Sequence, residues 1–170
     1  MIPTLSTPRL TLRPPASRDA ERFVGFFSSD RAAAFDMRMP RAEAWRLYAT
    51  ALGHWTLRGF GMWTVTRAGD DTAMGMVGCL RMDDWPENEI AWFLWDGAEG
   101  QGYATEAART ARTCAYDRFG WTTAVSYVGA GNTRSLRVAE RLGAVADPGA
   151  PHPNGDAPTL VMRHPGPGFA

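Results

Sequence analysis

The sequence contains no lysine. All 18 basic residues are arginine, and 18 acids balance them to a formal charge of zero. A neutral chain lacks the positive excess that holds proteins on nucleic acid by bulk electrostatics. Arg109, Arg112 and Arg118, the nearest approach to a basic cluster, are spread along one segment rather than gathered. Without lysine there can be no Walker A loop, which needs Gly-Lys-Ser/Thr. Cysteine is scarce as well. Cys79 and Cys114 sit in mostly apolar segments and form no CxxC pair, which argues against a disulfide framework or a zinc site and marks both as small buried hydrophobes. Long apolar runs are also missing: the longest, Ile90 to Trp95, is too short to cross a bilayer. No basic segment followed by an apolar one opens the chain, as a signal peptide would. A cytoplasmic protein with no membrane, nucleic-acid or metal partner is the expectation.

What is present suits one globular unit. The 170 residues are 45% hydrophobic and 21% charged, enough apolar material for one core and too much for disorder. Seven tryptophans suit a core rich in rings, and Trp85, Trp92, Phe93 and Trp95 cluster where they could also line a groove. The pattern predicts an opening strand over 4–13, then a helix capped by Ser17 that carries Phe23, Val24 and Phe27. A second helix over 41–57 has Ala44, Trp45, Tyr48, Leu52 and Trp55 on one stripe. Strands follow at 62–67, 73–82 and 88–95, with a hairpin turn over 68–71. A glycine-rich turn leads to a helix over 102–119 whose face of small residues (Ala104, Ala107, Ala108, Ala111, Ala115) would let it lie close on a sheet. A strand over 121–128, a helix over 133–142, a proline-rich loop over 147–158 and a strand over 159–163 complete the order. The fold class expected is α/β (α+β): a mixed, mostly antiparallel central sheet with helices on both faces, one domain over 1–164 and a flexible tail over 165–170.

The chemistry concentrates at strand 88–95 and the turn that follows it. Glycines at 97, 100 and 102 empty into a helix N-terminus, where unpaired N–H groups and the positive end of the dipole favour a phosphate or pyrophosphate. A plain strand-to-helix turn would have the same composition. A dinucleotide fingerprint fails, because Gly100-x-Gly102-x-x-Thr105 has Thr at the third position and strand 121–128 carries no acidic residue.

Three motifs in register resemble the GNAT N-acetyltransferases. GQGYATEA at 100–107 is similar to their acetyl-CoA pyrophosphate loop. NTRSLRVAERLGA at 132–144 resembles the Asn-x-x-Ser helix of the ribosomal-protein N-terminal (alanine) acetyltransferase-like branch. STPRLTLRP at 6–14 resembles that branch's opening strand. The resemblance implies the GNAT acyl-CoA fold, acetyl-CoA as acetyl donor, and direct attack by a primary amine in a ternary complex. It implies a pantetheine arm along Phe93 and Leu94, with the pyrophosphate on the N–H groups of Glu99, Gly100, Gln101, Gly102, Tyr103, Ala104 and Thr105. Glu99 departs from the Gln or Arg usual there, and a carboxylate beside a pyrophosphate should point outward. Asn132 is expected at the cofactor, and it is equally a good helix N-cap.

Two catalytic candidates follow from the resemblance. Many relatives use a Tyr seven residues after the motif Asn to protonate the leaving thiolate, but this chain has Ala139 there, which leaves Ser135 as donor or orienting group. Glu89, on the face of its strand shared with Ala91 and Phe93, is the candidate base; a solvated strand carboxylate is the other reading. His54, His152 and His164 are scattered and expected at the surface. The acceptor is open between a peptide N-terminus and a small-molecule amine. Asp83, Asp84, Glu87 and Glu89 around Trp85 offer a modest acidic cleft for a polycation. The enzyme would be a monomer or homodimer. A non-catalytic acyl-CoA-binding or regulatory domain is the alternative.

Overall fold

The structure is a computed structural model that describes residues 1–33, 37–153 and 158–168. Part of the proline-rich loop (154–157) and the end of the tail (169–170) therefore lie outside the described residues. One sheet of eight strands runs in the order β1-β2-β3-β4-β5-β6-β8-β7. The opening segment is a hairpin rather than one strand: β1 (Leu5–Ser6) pairs antiparallel with β2 (Leu10–Arg13). The Thr7 hydroxyl accepts the backbone N–H of Leu10 at 2.9 Å and the Thr7 N–H reaches Leu10 O at 2.9 Å, a tight turn over Pro8. β3 (Met62–Arg67), β4 (Gly75–Leu80) and β5 (Glu89–Leu94) continue the antiparallel sheet. β5 then runs parallel to β6 (Val125–Gly129), and β8 (Thr159–Arg163) lies antiparallel to both β6 and the two-residue β7 (Val145–Ala146). β7 is too short to leave an alternating pattern in the sequence.

A short 3-10 turn at Ser17–Asp19 leads into α1 (Ala20–Phe27), followed by α2 (Asp30–Ala33), α3 (Arg41–Arg58), α4 (Tyr103–Phe119) and α5 (Thr133–Arg141). Ser17 caps nothing. The Asp19 carboxylate instead accepts the Ala16 N–H at 3.0 Å. α1 and α3 cover one face of the sheet, burying Phe23, Phe27 and Tyr48 against Met62, Met76 and Ala91. α4 covers the other, where Ala107, Ala108, Ala111 and Ala115 are fully buried against Leu12, Trp63, Val65 and Ile90. With methyl groups alone between them, helix and sheet approach closely. On α3 the buried row is Ala44, Tyr48, Ala51, His54 and Trp55, whereas Trp45 is 59% exposed and Leu52 faces solvent at the edge. The stripe at 44, 48, 51 and 55 keeps the helical period, and 45 and 52 fall on its flank.

Two of the three histidines are buried rather than superficial: His54 is 4% and His164 3% exposed. Each is tolerated because its ring nitrogens are satisfied. His54 Nδ1 donates to Phe60 O at 2.7 Å while Nε2 accepts the Arg81 N–H at 3.1 Å. Both cysteines are buried and free. Among the described residues no helix is long and apolar enough to cross a membrane, and no His/Cys/Asp/Glu group could hold a metal.

Candidate active site

The site begins where the sheet comes apart. β5 and β6 share one register pair, Glu89 with Val125, sealed by Val125 N–H to Asn88 O at 3.0 Å. Past that point the strands diverge. On its other side β5 is fully paired to β4, with Trp95 N–H donating to Met74 O at 2.9 Å. Hydrogen bonding along an antiparallel pair alternates, so Glu89, Ala91 and Phe93 turn their backbone groups to β4, and Trp92 and Leu94 turn theirs into the opening. Of the expected pair, Leu94 presents its peptide groups to the groove, while Phe93 contributes its ring to the wall and Trp92 takes the second groove-facing position. The opening continues as a groove of about 1260 Å³.

One end of the groove is the glycine turn. Gly97, Gly100 and Gly102 have φ of 84°, 73° and 78°, a region that disfavours any side chain, so the turn requires them. Gly102 is the N-cap of α4 and supplies no side-chain acceptor. The first helical bond is Glu106 N–H to Gly102 O at 3.1 Å, which leaves the N–H groups of Tyr103, Ala104 and Thr105 without an intrahelical acceptor. These residues line the groove with Gly100 and Gly102, as does Glu99; Gln101 is exposed. The Glu99 side chain is not directed outward. It ion-pairs with Arg31 of α2 and accepts the Gly97 N–H at 3.0 Å, so its charge is neutralised within the turn. Arg31 also holds Asp96 at 2.9 Å. From the opposite side Arg9 clamps the same turn, donating to Gln101 O at 2.9 Å and Glu106 Oε2 at 2.6 Å, with its guanidinium 4.9 Å above the Tyr103 ring. Arg9 belongs to the opening motif and Arg31 to a four-residue helix. Neither was legible as a site residue, because only the fold brings them to the turn.

Glu89 lies at the other end, where the strands part. It is 7% exposed and lines the groove on the α1–α3 face, with Ala91 and Phe93. Its Oε2 accepts the Trp85 indole N–H at 2.7 Å and its Oε1 the Tyr127 backbone N–H at 3.3 Å. No cation pairs with it among the described residues. Burial therefore wins over the two hydrogen bonds and pushes the carboxyl up to about 7. The expected acidic cleft around it does not form. Glu87 is taken by Arg163 in a bidentate pair at 2.8 and 2.9 Å, Asp83 is fully exposed 3.7 Å from Arg58, and Asp83, Asp84 and Glu87 do not line the groove.

Ser135 approaches from the opposite face. Trp92 points to the α4 side and donates its indole N–H to Ser135 Oγ at 3.3 Å, and among the described residues the hydroxyl proton has no acceptor. Asn132 is the N-cap of α5, its Oδ1 accepting the Ser135 N–H at 3.0 Å, and it also lines the groove. Ala139 is fully buried in a cluster with Val128, Ala144 and Met162, so that position faces the core. A buried relay braces the parting strands. Arg112 Nη1 donates to Leu142 O at 2.6 Å and lies 3.3 Å from His164 Nδ1. His164 Nε2 meets Ser126 Oγ at 2.9 Å, and Ser126 donates to Ile90 O at 2.5 Å. Ile90 O already accepts the serine proton, so the His164 proton sits on Nε2. Burial, then the Arg112 charge, pulls the His164 pKa down to about 3 and keeps the ring neutral. Arg112 is thus a core residue and not part of a basic surface.

Residues 9–145 match the family model of the GNAT acetyltransferase domain. The chain belongs to the GNAT acetyltransferase family. Among solved structures it is similar to an acetyltransferase from Agrobacterium tumefaciens, with 36% identity, a TM-score of 0.92, and 97% of this chain and 95% of that one covered. A ribosomal-protein-serine acetyltransferase described from Vibrio cholerae shares the fold at 19% identity and a TM-score of 0.75, over 97% of this chain and all of that one. So does the ribosomal-protein α-N-acetyltransferase RimL, solved in complex with coenzyme A, at 15% identity and a TM-score of 0.72, over 96% and 98% of the two chains. The mixed, mostly antiparallel sheet expected of a GNAT protein is the sheet observed, and these neighbours share that fold.

Proposed function

We propose that this GNAT protein moves the acetyl group of acetyl-CoA to a primary amine. One observation carries the reading: a single groove joins the α4 N-terminus, which has no side-chain cap, to Glu89, a buried carboxylate with no cation among the described residues, along a strand edge whose peptide groups turn into the opening. The groove fits the donor. The free N–H groups of Tyr103, Ala104 and Thr105 suit a pyrophosphate, which needs donors and no counter-charge of its own when the dipole is favourable. The Trp92 and Leu94 peptide groups suit an amide-bearing arm laid beside β5. Bound there, acetyl-CoA would supply an activated acetyl group as its thioester.

The chain's own residues then do three things. Glu89, half ionised near neutral pH, takes a proton from the amine, which enters water mostly as an ammonium with a pKa near 10. A buried approach lowers that pKa, since desolvation disfavours the charged form, and so narrows the gap to Glu89. Ser135, its oxygen already accepting from Trp92, has its hydroxyl proton available for the departing sulfur. Trp85 fixes the Glu89 carboxylate. Positioned acid–base groups of this kind contribute about 10²- to 10⁴-fold.

Coenzyme A release over an amine panel, with mass detection of the acetylated product, tests the proposal. Turnover is expected, with Glu89→Gln and Ser135→Ala both impaired. If both variants kept full activity, the assigned roles would be wrong. Acetyl-CoA binding by calorimetry with no turnover over a broad panel would make the protein a binding domain.

A further inference from the structure

The wall around Glu89 is apolar. On the α1–α3 side the groove is bounded by Phe23 and Phe26 of α1, Leu47 of α3, Met62 of β3, Met76 of β4, and Met82 from the loop after β4. They belong to one packed cluster. The described acids lining the groove are Glu89 and Glu99, and Arg31 holds Glu99. Among the described residues one carboxylate is therefore left for one amine. A diamine or polyamine would seat its second ammonium against phenyl and thioether groups with no carboxylate among the described residues to meet it, and ring faces compensate such a charge only in part. Methionine walls are flexible and polarisable, and they adapt to a bulky apolar body of varied shape.

We propose that the acceptor is a primary monoamine borne on an apolar body of aromatic or branched aliphatic character, seated on this methionine- and phenylalanine-lined wall with its nitrogen at Glu89. This rests on the acetyl-transfer reading and adds the substrate class. The same chemistry occurs in a free arylalkylamine and in a peptide whose first residue is apolar.

The test compares kcat/KM for phenethylamine, ethylamine, 1,4-diaminobutane and spermidine, and for tripeptides beginning with Phe and with Ser. Phenethylamine is expected at least tenfold above ethylamine and both polyamines, because even one methylene in a fitted apolar pocket is worth about tenfold or more. The Phe tripeptide should exceed the Ser tripeptide by a similar factor, and its rank against phenethylamine identifies the source. Leu47→Glu supplies the second carboxylate. It should raise the diaminobutane-to-phenethylamine ratio at least tenfold, and a ratio within one variant is unaffected by lost folded enzyme. A preference for spermidine, diaminobutane or the Ser tripeptide, equal rates across the panel, or an unchanged ratio in Leu47→Glu would overturn the inference. If some amine is acetylated without apolar preference, acetyl transfer stands and this inference alone falls. If acetyl-CoA fails to bind by calorimetry and no amine reacts, both fall.

Discussion

Asp19 and Glu89 are both buried carboxylates, 3% and 7% exposed, in opposite circumstances. Burial pushes Asp19 up, but Arg13 grips it through two bonds of 2.8 Å, the Ala16 N–H and the Thr64 hydroxyl add two more at 3.0 Å, and the outcome is a carboxyl held below its ordinary range. Glu89 has two N–H donors and no cation, and it rises to about 7. A buried carboxylate that is fully satisfied pins β2 and β3 to the start of α1. One left short of partners keeps proton affinity near neutrality, which is what a base needs. The number and charge of the partners, rather than burial, separates the structural carboxylate from the one proposed to act as a base.

The comparison breaks most sharply on removal of each group. Glu89→Gln should lower kcat/KM by about 10²- to 10⁴-fold, while stability at pH 8 holds or rises by about 1–3 kcal/mol, because a buried charge has been removed. Steady-state kinetics and urea melts on one preparation read both. Arg13→Leu should do the reverse. It strands Asp19 and costs about 3–5 kcal/mol, visible as a fall in the urea midpoint at unchanged slope, with kcat per folded molecule kept. A Glu89→Gln variant that lost stability to the same extent would erase the distinction.

pH sharpens it further, since the two groups have opposite signs. Asp19, depressed when folded, contributes stability above its unfolded pKa and loses it as pH falls through its folded value. Glu89, raised from 4.5 to about 7, favours the folded state in its protonated form, and that contribution is lost as pH rises through about 7. The advantage of Glu89→Gln over the parent should therefore grow between pH 5 and 8. Activity should rise over the same interval as the base ionises. Trp85→Phe removes a hydrogen bond that lowers the carboxyl's pKa, so the rising limb should move to higher pH. The smallest effect is expected at Ser135→Ala, at the low end of that range, about 10²-fold in kcat with little change in the urea midpoint.

Much of this arrangement was legible in the residues. The glycine turn, the alanine face of α4 and the Asn-x-x-Ser start of α5 each carry a local signal, from φ requirements, helical period or a cap, and each lies where it was expected. Glu89, Ala91 and Phe93 share a face because strand alternation fixes it. Other features depend on distance in sequence. Arg9 meets Glu106 from 97 residues away, and Arg31 meets Glu99 from a helix of one turn. Arg163 takes Glu87 out of the supposed acidic cleft. His164, expected at the surface, is instead enclosed by Arg112 and Ser126. An arginine announces its charge in a sequence but not its partner, and with 18 of them and no lysine, ion pairing is what composition alone could least resolve.

The single register pair between β5 and β6 divides the sheet at one seam. Five strands lie on one side of the seam and three on the other. They are joined there by the Glu89–Val125 pair and by the Ser126 hydroxyl on Ile90 O, itself tethered through His164 to α4. A molecule lying in the seam and pairing with Trp92 and Leu94 would act as a mortise between the halves, so occupancy, not only chemistry, would set how stiffly the two parts of the protein move together.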